Sequence, residues 1–435
     1  MALQPKRESL QALIDDALAE TPPGRVVWVA LSGGLDSSLL LTLAAQACRR
    51  YPRPLHALHV HHGLQDAADD FAQHCHWLAS RLGVPLHVER VKVDLGAGKG
   101  LEGAAREARY AAFARRVSQG ETLWLAQHQD DQAETFLLAA LRGSGMRGLA
   151  GMPRSREWQG RRLERPLLAR SRAELEAEGE RLGLRWIDDP SNDSEALDRN
   201  FLRHRVLPAL QSRWPHAAQA LASSAVHAGE GEALLGELAT QDLAGLGGEP
   251  GRLPVAPLSL LSLPRQRLLL RHCCERLGLS LPPLARLDSL LTQLGARNDA
   301  QVRVNWAEVE ARIWRDHLYL RPHLAPLPAD WRVDWSGVEP LATPWGRVKV
   351  SLSPAESSPV RLTLMPRRGG ERLRLPGRGS RDLKRLLQEA GMPPWERERV
   401  LVAWSGEEPV AALRLDRLAW LVVAEGWRAS PGDAV

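Results

Sequence analysis

Ser32-Gly33-Gly34-Leu35-Asp36-Ser37-Ser38 lies between two apolar runs of different character. Val26-Val27-Trp28-Val29-Ala30-Leu31 before it is β-prone, and Leu39-Leu40-Leu41-Thr42-Leu43-Ala44-Ala45 after it is helix-prone. A strand, a glycine turn and a helix start aim free backbone N–H groups and a positive helix end at an anion. Gly33 and Gly34 allow a tight turn and close approach of a phosphate to the main chain. Ser32, Ser37 and Ser38 add hydroxyl donors. The nucleotide P-loop G-x-x-x-x-G-K-[ST] is not matched, because its phosphate-reaching lysine is missing. Asp36 stands there instead, which suits a metal held against pyrophosphate.

The same alternation continues outward. Strands are expected at Leu55 to Val60, Pro85 to Val91 and Thr122 to Ala126. Helices are expected at Asp66 to Leu82, Glu102 to Val117 and Asp130 to Arg142, with a glycine-bearing loop at 94–100. Ser171-Arg172-Ala173-Glu174 is a capping box that opens another helix. This is the pattern of a doubly wound, mainly parallel α/β sheet, whose ligands sit beyond the carboxyl ends of the strands. The loops at Ser32, His61 and Gln127 therefore share one rim.

A break is expected after Leu207-Pro208, followed by Leu- and Ala-rich helices from Ala217 to Leu294. Gln301 to Trp306 and Val309 to Leu320 alternate as a hairpin would. Pro322, Pro326, Pro328, Pro340 and Pro344 mark a linker. The remainder, from about Gly346, reads as short strands around one helix, Arg381 to Ala390. The chain thus divides into an α/β domain (1–215), a mostly helical domain (216–330) and a small α+β domain (345–435).

At 435 residues, with 44% hydrophobic and 25% charged content, the chain has the balance of a soluble globular protein. Its four cysteines include no C-x-x-C pair, which argues against a zinc knuckle, an iron–sulfur site or a disulfide framework. The start has no apolar signal core, and no run of 18 apolar residues occurs, so a cytoplasmic enzyme away from membranes is expected. Net charge is only +5, yet nine arginines face two acids between Arg142 and Arg172. Between Arg361 and Arg399, eleven basic residues face five acids. Two arginine-rich segments suggest a polyanion met by more than one domain. A genome-wide preference for arginine would produce the same counts.

Three further segments carry chemistry. His59-Val60-His61-His62-Gly63-Leu64 ends a strand on the rim and reads as a nucleotide-lining turn rather than a metal site. Arg106 and Arg109 share a helical face, either holding phosphates or simply solvated. Gln127-His128-Gln129-Asp130-Asp131-Gln132-Ala133-Glu134-Thr135 puts a carboxylate cluster at a helix start. Those acids could merely cap the helix dipole. Asp131 and Glu134 also fall on one face, where they could bind a cationic amine or take its proton.

The Ser-Gly-Gly-x-Asp-Ser loop resembles the PP-loop of ATP pyrophosphatases. In order, SGGLDSS, HVHHGL, AAREARY, HQDDQAET and Arg142-Gly143-Ser144-Gly145 resemble the tRNA(Ile)-lysidine synthetase family. So do Arg165-Pro166-Leu167-Leu168, Asp189-Pro190-Ser191-Asn192, Arg199-Asn200-Phe201-Leu202-Arg203, Leu375-Pro376-Gly377-Arg378-Gly379-Ser380 and Pro393-Pro394-Trp395-Glu396-Arg397. The likeness is weakest from Ala217 to Asp330. One departure is Gln127, where the family usually carries a second histidine beside His128.

The resemblance implies ATP as co-substrate with Mg2+, free L-lysine, and an isoleucine tRNA with a CAU anticodon. It implies adenylation of the wobble cytidine at the C2 oxygen, then attack by the ε-amine of lysine. Ser32, Gly33, Gly34, Leu35, Asp36, Ser37 and His59 would bind ATP, with Asp36 on the metal. Asp36, Arg106, Asp131 and Glu134 would be catalytic. Arg109, Arg142, Arg199, Arg203, Arg378, Arg381 and Lys384 would hold tRNA. Oligomeric state is left open, a homodimer being one alternative. A tRNA thiolase would be expected to bring catalytic cysteines or a cluster, and a glutamine-dependent synthetase a cysteine nucleophile. A non-catalytic RNA-binding protein would not need Asp36, Asp131 and Glu134 beside a phosphate loop.

Overall fold

The computed structural model describes residues 9–63, 68–93, 100–189, 194–295, 302–324, 327–343, 346–356, 360–415 and 419–434. The loop 94–99, Leu64, Pro190-Ser191-Asn192, Pro326 and Pro344 lie outside them. The chain forms two compact units, 1–238 and 239–435.

In the first unit, α1 (Leu10–Ala19) precedes β1 (Val27–Ala30), α2 (Leu35–Ala47), β2 (Leu55–His61), α3 (Ala68–Leu82) and β3 (Leu86–Arg90). Then come α4 (Gly100–Arg116), β4 (Thr122–Trp124), α5 (Gln129–Leu141), α6 (Met146–Leu149), β5 (Ser155–Trp158), β6 (Arg161–Glu164) and α7 (Arg172–Arg181). The sheet order is β3-β2-β1-β4-β6-β5, parallel except for the β5 edge. This is the expected doubly wound sheet. Strand order reverses between β1 and β4, the switch point at which such sheets bind ligands. β1 is buried on both faces, as parallel strands must be: Val27, Val29 and Leu31 meet α1 and α2, while Trp28 joins Phe113, Leu123 and Leu163. The β5–β6 hairpin was not anticipated, because Arg156, Arg161 and Arg162 hide the alternation of a short edge strand.

After α7 come α8 (Asp198–Phe201), a π turn (Leu202–Val206) and α9 (Leu207–Arg213). The expected break at Pro208 is therefore absent. Pro208 falls in the first turn of α9, which continues directly from the π turn. The long α10 (Ala217–Gly245) follows.

The second unit continues with β7 (Arg252–Pro254), α11 (Val255–Leu260), α12 (Leu263–Arg276), α13 (Leu284–Thr292), β8 (Arg303–Trp306), β9 (Val309–Trp314) and β10 (His317–Pro322). The segment expected as one strand, Val309 to Leu320, is two. Arg315 and Asp316, with φ of 45° and 60°, turn the chain between them. The proline-marked linker contains two short strands, β11 (Val333–Trp335) and β12 (Leu341–Thr343). β13 (Gly346–Pro354), β14 (Leu362–Pro366), β15 (Arg372–Leu375), β16 (Gly379–Asp382), α14 (Leu383–Glu389), α15 (Pro394–Arg397) and β17 to β20 (Val400–Ser405, Glu408–Arg414, Ala419–Val423, Trp427–Ala434) complete it. Arg381 thus lies on a strand opposite Leu373, not in the first turn of a helix. Asp382 stops that strand by accepting the Arg385 N–H and capping α14. Among the described residues, no helix is long and apolar enough to cross a membrane.

Candidate active site

The phosphate loop is built largely from its own hydroxyls. Ser37 Oγ accepts the N–H of Ser32 at 3.1 Å and of Gly33 at 3.3 Å, and donates to the Gly34 carbonyl at 3.1 Å. Ser32 Oγ lies 3.0 Å from Ser37 Oγ. The expected donor role of Ser38 is not seen, since this residue of the first turns of α2 is fully buried. Leu35 turns its side chain into the core against Gly179, so only its main chain faces the loop. Gly33 has a φ of +96°, which L side chains rarely adopt, and a Cβ there would press on Phe71 and Cys75. The Ile187 N–H ties the Gly33 carbonyl down at 3.1 Å. His59 is buried, its Nδ1 2.9 Å from the Leu31 carbonyl, where it anchors the end of β1.

Asp36 opens α2 facing the start of α5. Its Oδ2 accepts from Arg172 at 2.7 Å and lies 3.8 Å from His128 Nε2. Its Oδ1 is buried and has no hydrogen-bond donor among the described residues. Burial pushes the Asp36 carboxyl above its ordinary pKa, against the pull of His128 and Arg172. A bare, buried carboxylate oxygen beside a phosphate loop is the acceptor that a hard cation requires. Asp36 thus fits Mg2+.

His128 is almost wholly buried at the end of the β4 loop. Burial opposes its charge, yet Asp130 at 3.6 Å, Asp131 at 3.5 Å and Asp36 together raise its pKa above the ordinary histidine value. Asp131 Oδ2 also accepts the His128 N–H at 3.0 Å, and Asp130 Oδ2 accepts the Arg172 N–H at 2.8 Å. The capping box at Ser171 is formed on both sides and places Arg172 at the first position of α7. The α7 start is therefore fastened to both α2 and α5.

On α5, Asp131 and Glu134 do share a face, and that face meets the helix carrying Arg199 and Arg203. Arg203 donates to Glu134 at 2.7 and 3.1 Å and to Asp131 at 3.1 Å. Arg199 lies 3.2 Å from Glu134 and donates to Thr135 Oγ1 at 2.8 Å. Glu134 is fully buried, which raises its pKa against the pull of both arginines.

The structure brings together Asp36, Asp131, Glu134, Arg199 and Arg203. It adds His128, Asp130 and Arg172, which were not assigned roles from sequence. In the sequence, Arg172 is legible only as part of a capping box. The other sequence-selected residues lie apart from this network. Arg106 is exposed and donates to the Tyr110 hydroxyl at 3.3 Å, with its guanidinium over that ring. Arg109 is exposed near His62, whose pKa falls to about 4 through burial and then the Arg109 charge. Arg142 is exposed, 3.7 Å from Asp198.

The arginine surplus from Arg142 to Arg172 is not one polyanion patch. Arg161 donates to the Ala114 carbonyl at 2.7 Å, Arg162 pairs with Glu164, and Arg172 with Asp36. Arg165 is buried and donates to the Gln127 side chain and to the Pro153 carbonyl at 2.8 Å. Gln127 thus serves as an acceptor for a buried cation.

Three known domain patterns match successive parts of the chain. The PP-loop domain pattern matches residues 5–210, the TilS substrate binding domain 253–319 and the TilS substrate C-terminal domain 362–433. A tRNA(Ile)-lysidine synthase of Xanthomonas axonopodis pv. citri is 46% identical over 91% of this chain and 90% of its own length.

The chain belongs to the tRNA(Ile)-lysidine synthase family.

Members of that family from Alkalilimnicola ehrlichii (44% identical, 94% of both chains) and Pseudomonas aeruginosa (43% identical, 90% of both) match along nearly the same length. The lysidine synthase likeness therefore includes both the phosphate-loop unit and the β-rich unit.

Against burial, the charges of His128 and then Arg172 favour the ionised form of Asp36. Arg172→Ala is expected to raise the Asp36 pKa further and move the acid limb of the pH–rate profile to higher pH. Arg172→Lys should restore it in part. An acid limb that stays in place in Arg172→Ala would remove this role.

Proposed function

We propose that the protein joins free lysine to C2 of the wobble cytidine of an isoleucine tRNA with a CAU anticodon. The cytidine O2 attacks the α-phosphorus of ATP, the bond to the β-phosphate breaks, and pyrophosphate departs. The ε-amine of lysine then attacks C2 and AMP leaves. The observation that carries this reading is the single network running from Asp36 through His128 and Asp131 to Glu134, beside the phosphate loop.

The main-chain N–H groups at the α2 N-terminus would hold the phosphates, on a loop held in shape by the Ser32 and Ser37 hydroxyls. Asp36 would hold Mg2+, which when bound neutralises the departing pyrophosphate. The lysine ammonium, with a pKa of about 10.4, must lose a proton before it attacks. Asp131, partly exposed beside His128, is suited to receive that ammonium. Glu134 acts behind it by fixing Arg203 and Arg199, a positioning role that its burial favours over contact with lysine. Arg106 and Arg109, on the exposed side of α4, would steady the cytidine and its backbone. The cytoplasm is the compartment that free tRNA and lysine imply.

Incubation of isoleucine tRNA with protein, ATP and lysine, followed by mass analysis of the nucleosides, tests this directly. Lysidine formed only when all three are present supports it, and unmodified cytidine overturns it.

Arg378, Arg381 and Lys384 are exposed around the β15–β16 hairpin and the start of α14. They are assigned to docking the acceptor stem, with Arg381 and Lys384 contributing from a strand and a helix. Arg381→Glu with Lys384→Glu should raise the tRNA concentration needed and flatten the salt slope by about 1 to 2. ATP and lysine saturation should stay unchanged. An unaltered salt slope would remove the docking assignment.

A further inference from the structure

The turn at Arg315 and Asp316 sets Trp314 on β9 near Tyr319 on β10, with ring centroids 6.3 Å apart. Trp395 of α15 meets both edge-on, at 5.4 Å from Tyr319 and 6.2 Å from Trp314. Four guanidiniums lie over these rings. Arg312 is 5.0 Å and Arg321 6.0 Å from the Trp395 centroid, Arg252 is 6.0 Å from Tyr319, and Arg315 is 4.6 Å from Trp314. Any one such pair is common in folded proteins. Two other observations set this cluster apart.

The first is a cavity of about 240 Å³ whose lining includes Tyr319, Leu320, Arg321, Trp395, Glu396 and Arg399. It is smaller than the roughly 300–1,000 Å³ of sites for drug-sized ligands. Its scale is that of one planar base, and no double helix could enter. The second is the Trp395 indole. Trp395 is 6% exposed, and its Nε1 is buried with no acceptor among the described residues. A buried indole N–H usually finds a partner, because leaving it bare costs the full desolvation penalty. Trp404 and Trp420 also bury an Nε1 with no acceptor among the described residues; of the three, Trp395 is the one that lines this cavity.

The surroundings are cationic. Burial lowers the Arg397 pKa, and the charges of Arg315 and Arg367 lower it further. The acids nearby are already engaged. Glu310 lies 3.2 Å from Arg303, 3.1 Å from Arg312 and 3.0 Å from Arg321, and Glu396 lies 3.1 Å from Arg414. Aromatic rings, stacked guanidiniums and a positive field are the means by which proteins hold unpaired bases without reading sequence.

We propose that this cavity receives one unpaired nucleotide of the RNA substrate, with its base against Tyr319 and Trp395 and its phosphate on the surrounding arginines. The inference rests on the reading of the substrate as tRNA. It goes beyond that reading by assigning a second RNA contact, separate from the basic residues of β16 and α14.

The test uses the full-length protein with a mixed-sequence single-stranded RNA hexamer, the matching duplex, an isoleucine tRNA transcript and AMP. The hexamer should bind more tightly than the duplex, and AMP should not displace it. Tyr319→Leu should lose about tenfold in affinity for both hexamer and tRNA, the size of one lost base–aromatic stack, while Tyr319→Phe keeps it. Lysidine formation at saturating tRNA should be unchanged in both variants. Equal binding by Tyr319→Leu and the parent, or an equal loss in Tyr319→Phe, would overturn the proposal. Displacement by AMP would overturn it in favour of a free-nucleotide site. If Tyr319→Leu melts early, photocrosslinking of the hexamer to the parent protein decides. Crosslinks within 315–324 or 393–399 support the site, and crosslinks only elsewhere overturn it. A parent protein that makes no lysidine yet passes the hexamer tests would bring down the substrate reading and leave the nucleotide site standing.

Discussion

Asp36→Ala is expected to reduce pyrophosphate release by about 10³-fold while tRNA binding stays within a few fold of the parent. Two separate losses produce the effect. The first is the bare Oδ1, the one buried carboxylate oxygen at the phosphate loop that the described residues leave for a cation. The second is the counter-charge that Oδ2 supplies to Arg172 and His128. Asp36→Asn removes the charge from both roles at once while keeping the shape and one hydrogen-bond acceptor. If the metal role dominates, Asn should be as inactive as Ala, and raising Mg2+ should rescue neither. Pyrophosphate release at the parent rate in Asp36→Ala would remove Asp36 from the chemistry altogether.

The legible parts of this molecule are those in which local pattern and tertiary role coincide. The strand–glycine–helix signature of residues 26–45 survives because β1 is central and buried on both faces, so its apolar run is continuous. The same holds for the acidic start of α5, where helix-capping residues and site residues are the same carboxylates. Local pattern is silent where one residue serves two roles. Ser171-Arg172-Ala173-Glu174 was legible as a helix start, yet the partner of Arg172 lies 136 positions earlier in the chain. No spacing rule reaches that far. Arginine counts misled for a related reason. A guanidinium can meet phosphate, backbone carbonyl or carboxylate equally well, and Arg161, Arg162 and Arg165 are directed inward or along the fold. In the β-rich unit, Arg381-Asp382 precedes a leucine-rich segment and reads as the first turn of its helix. Cross-strand pairing with Arg372 to Leu375 overrides that local preference.

Glu134→Gln is expected to impair lysidine formation more than pyrophosphate release, by a mechanism the sequence alone did not suggest. On sequence, Glu134 is a second carboxylate for the lysine ammonium. In the structure it is wholly buried, and both its oxygens engage Arg203. Removing its charge leaves Arg203 and Arg199 with Asp131 as the remaining nearby acid on α5. Arg203 should then draw closer to Asp131 and compete with the incoming ammonium for the same oxygens. The apparent KM for lysine should therefore rise by at least about tenfold, while pyrophosphate release on tRNA falls less. Stability should drop by about 2 kcal/mol, less than for a fully buried ion pair because both arginines are partly exposed. Arg203→Met in the Glu134→Gln background supplies the discriminating measurement. If Glu134 acts by restraining Arg203, removing that cation should recover part of the lysine affinity. If Glu134 contacts lysine itself, the double variant should bind lysine no better than the single one. Equal loss of both half-reactions at saturating lysine would assign Glu134 to folding of the α5 face and to neither role.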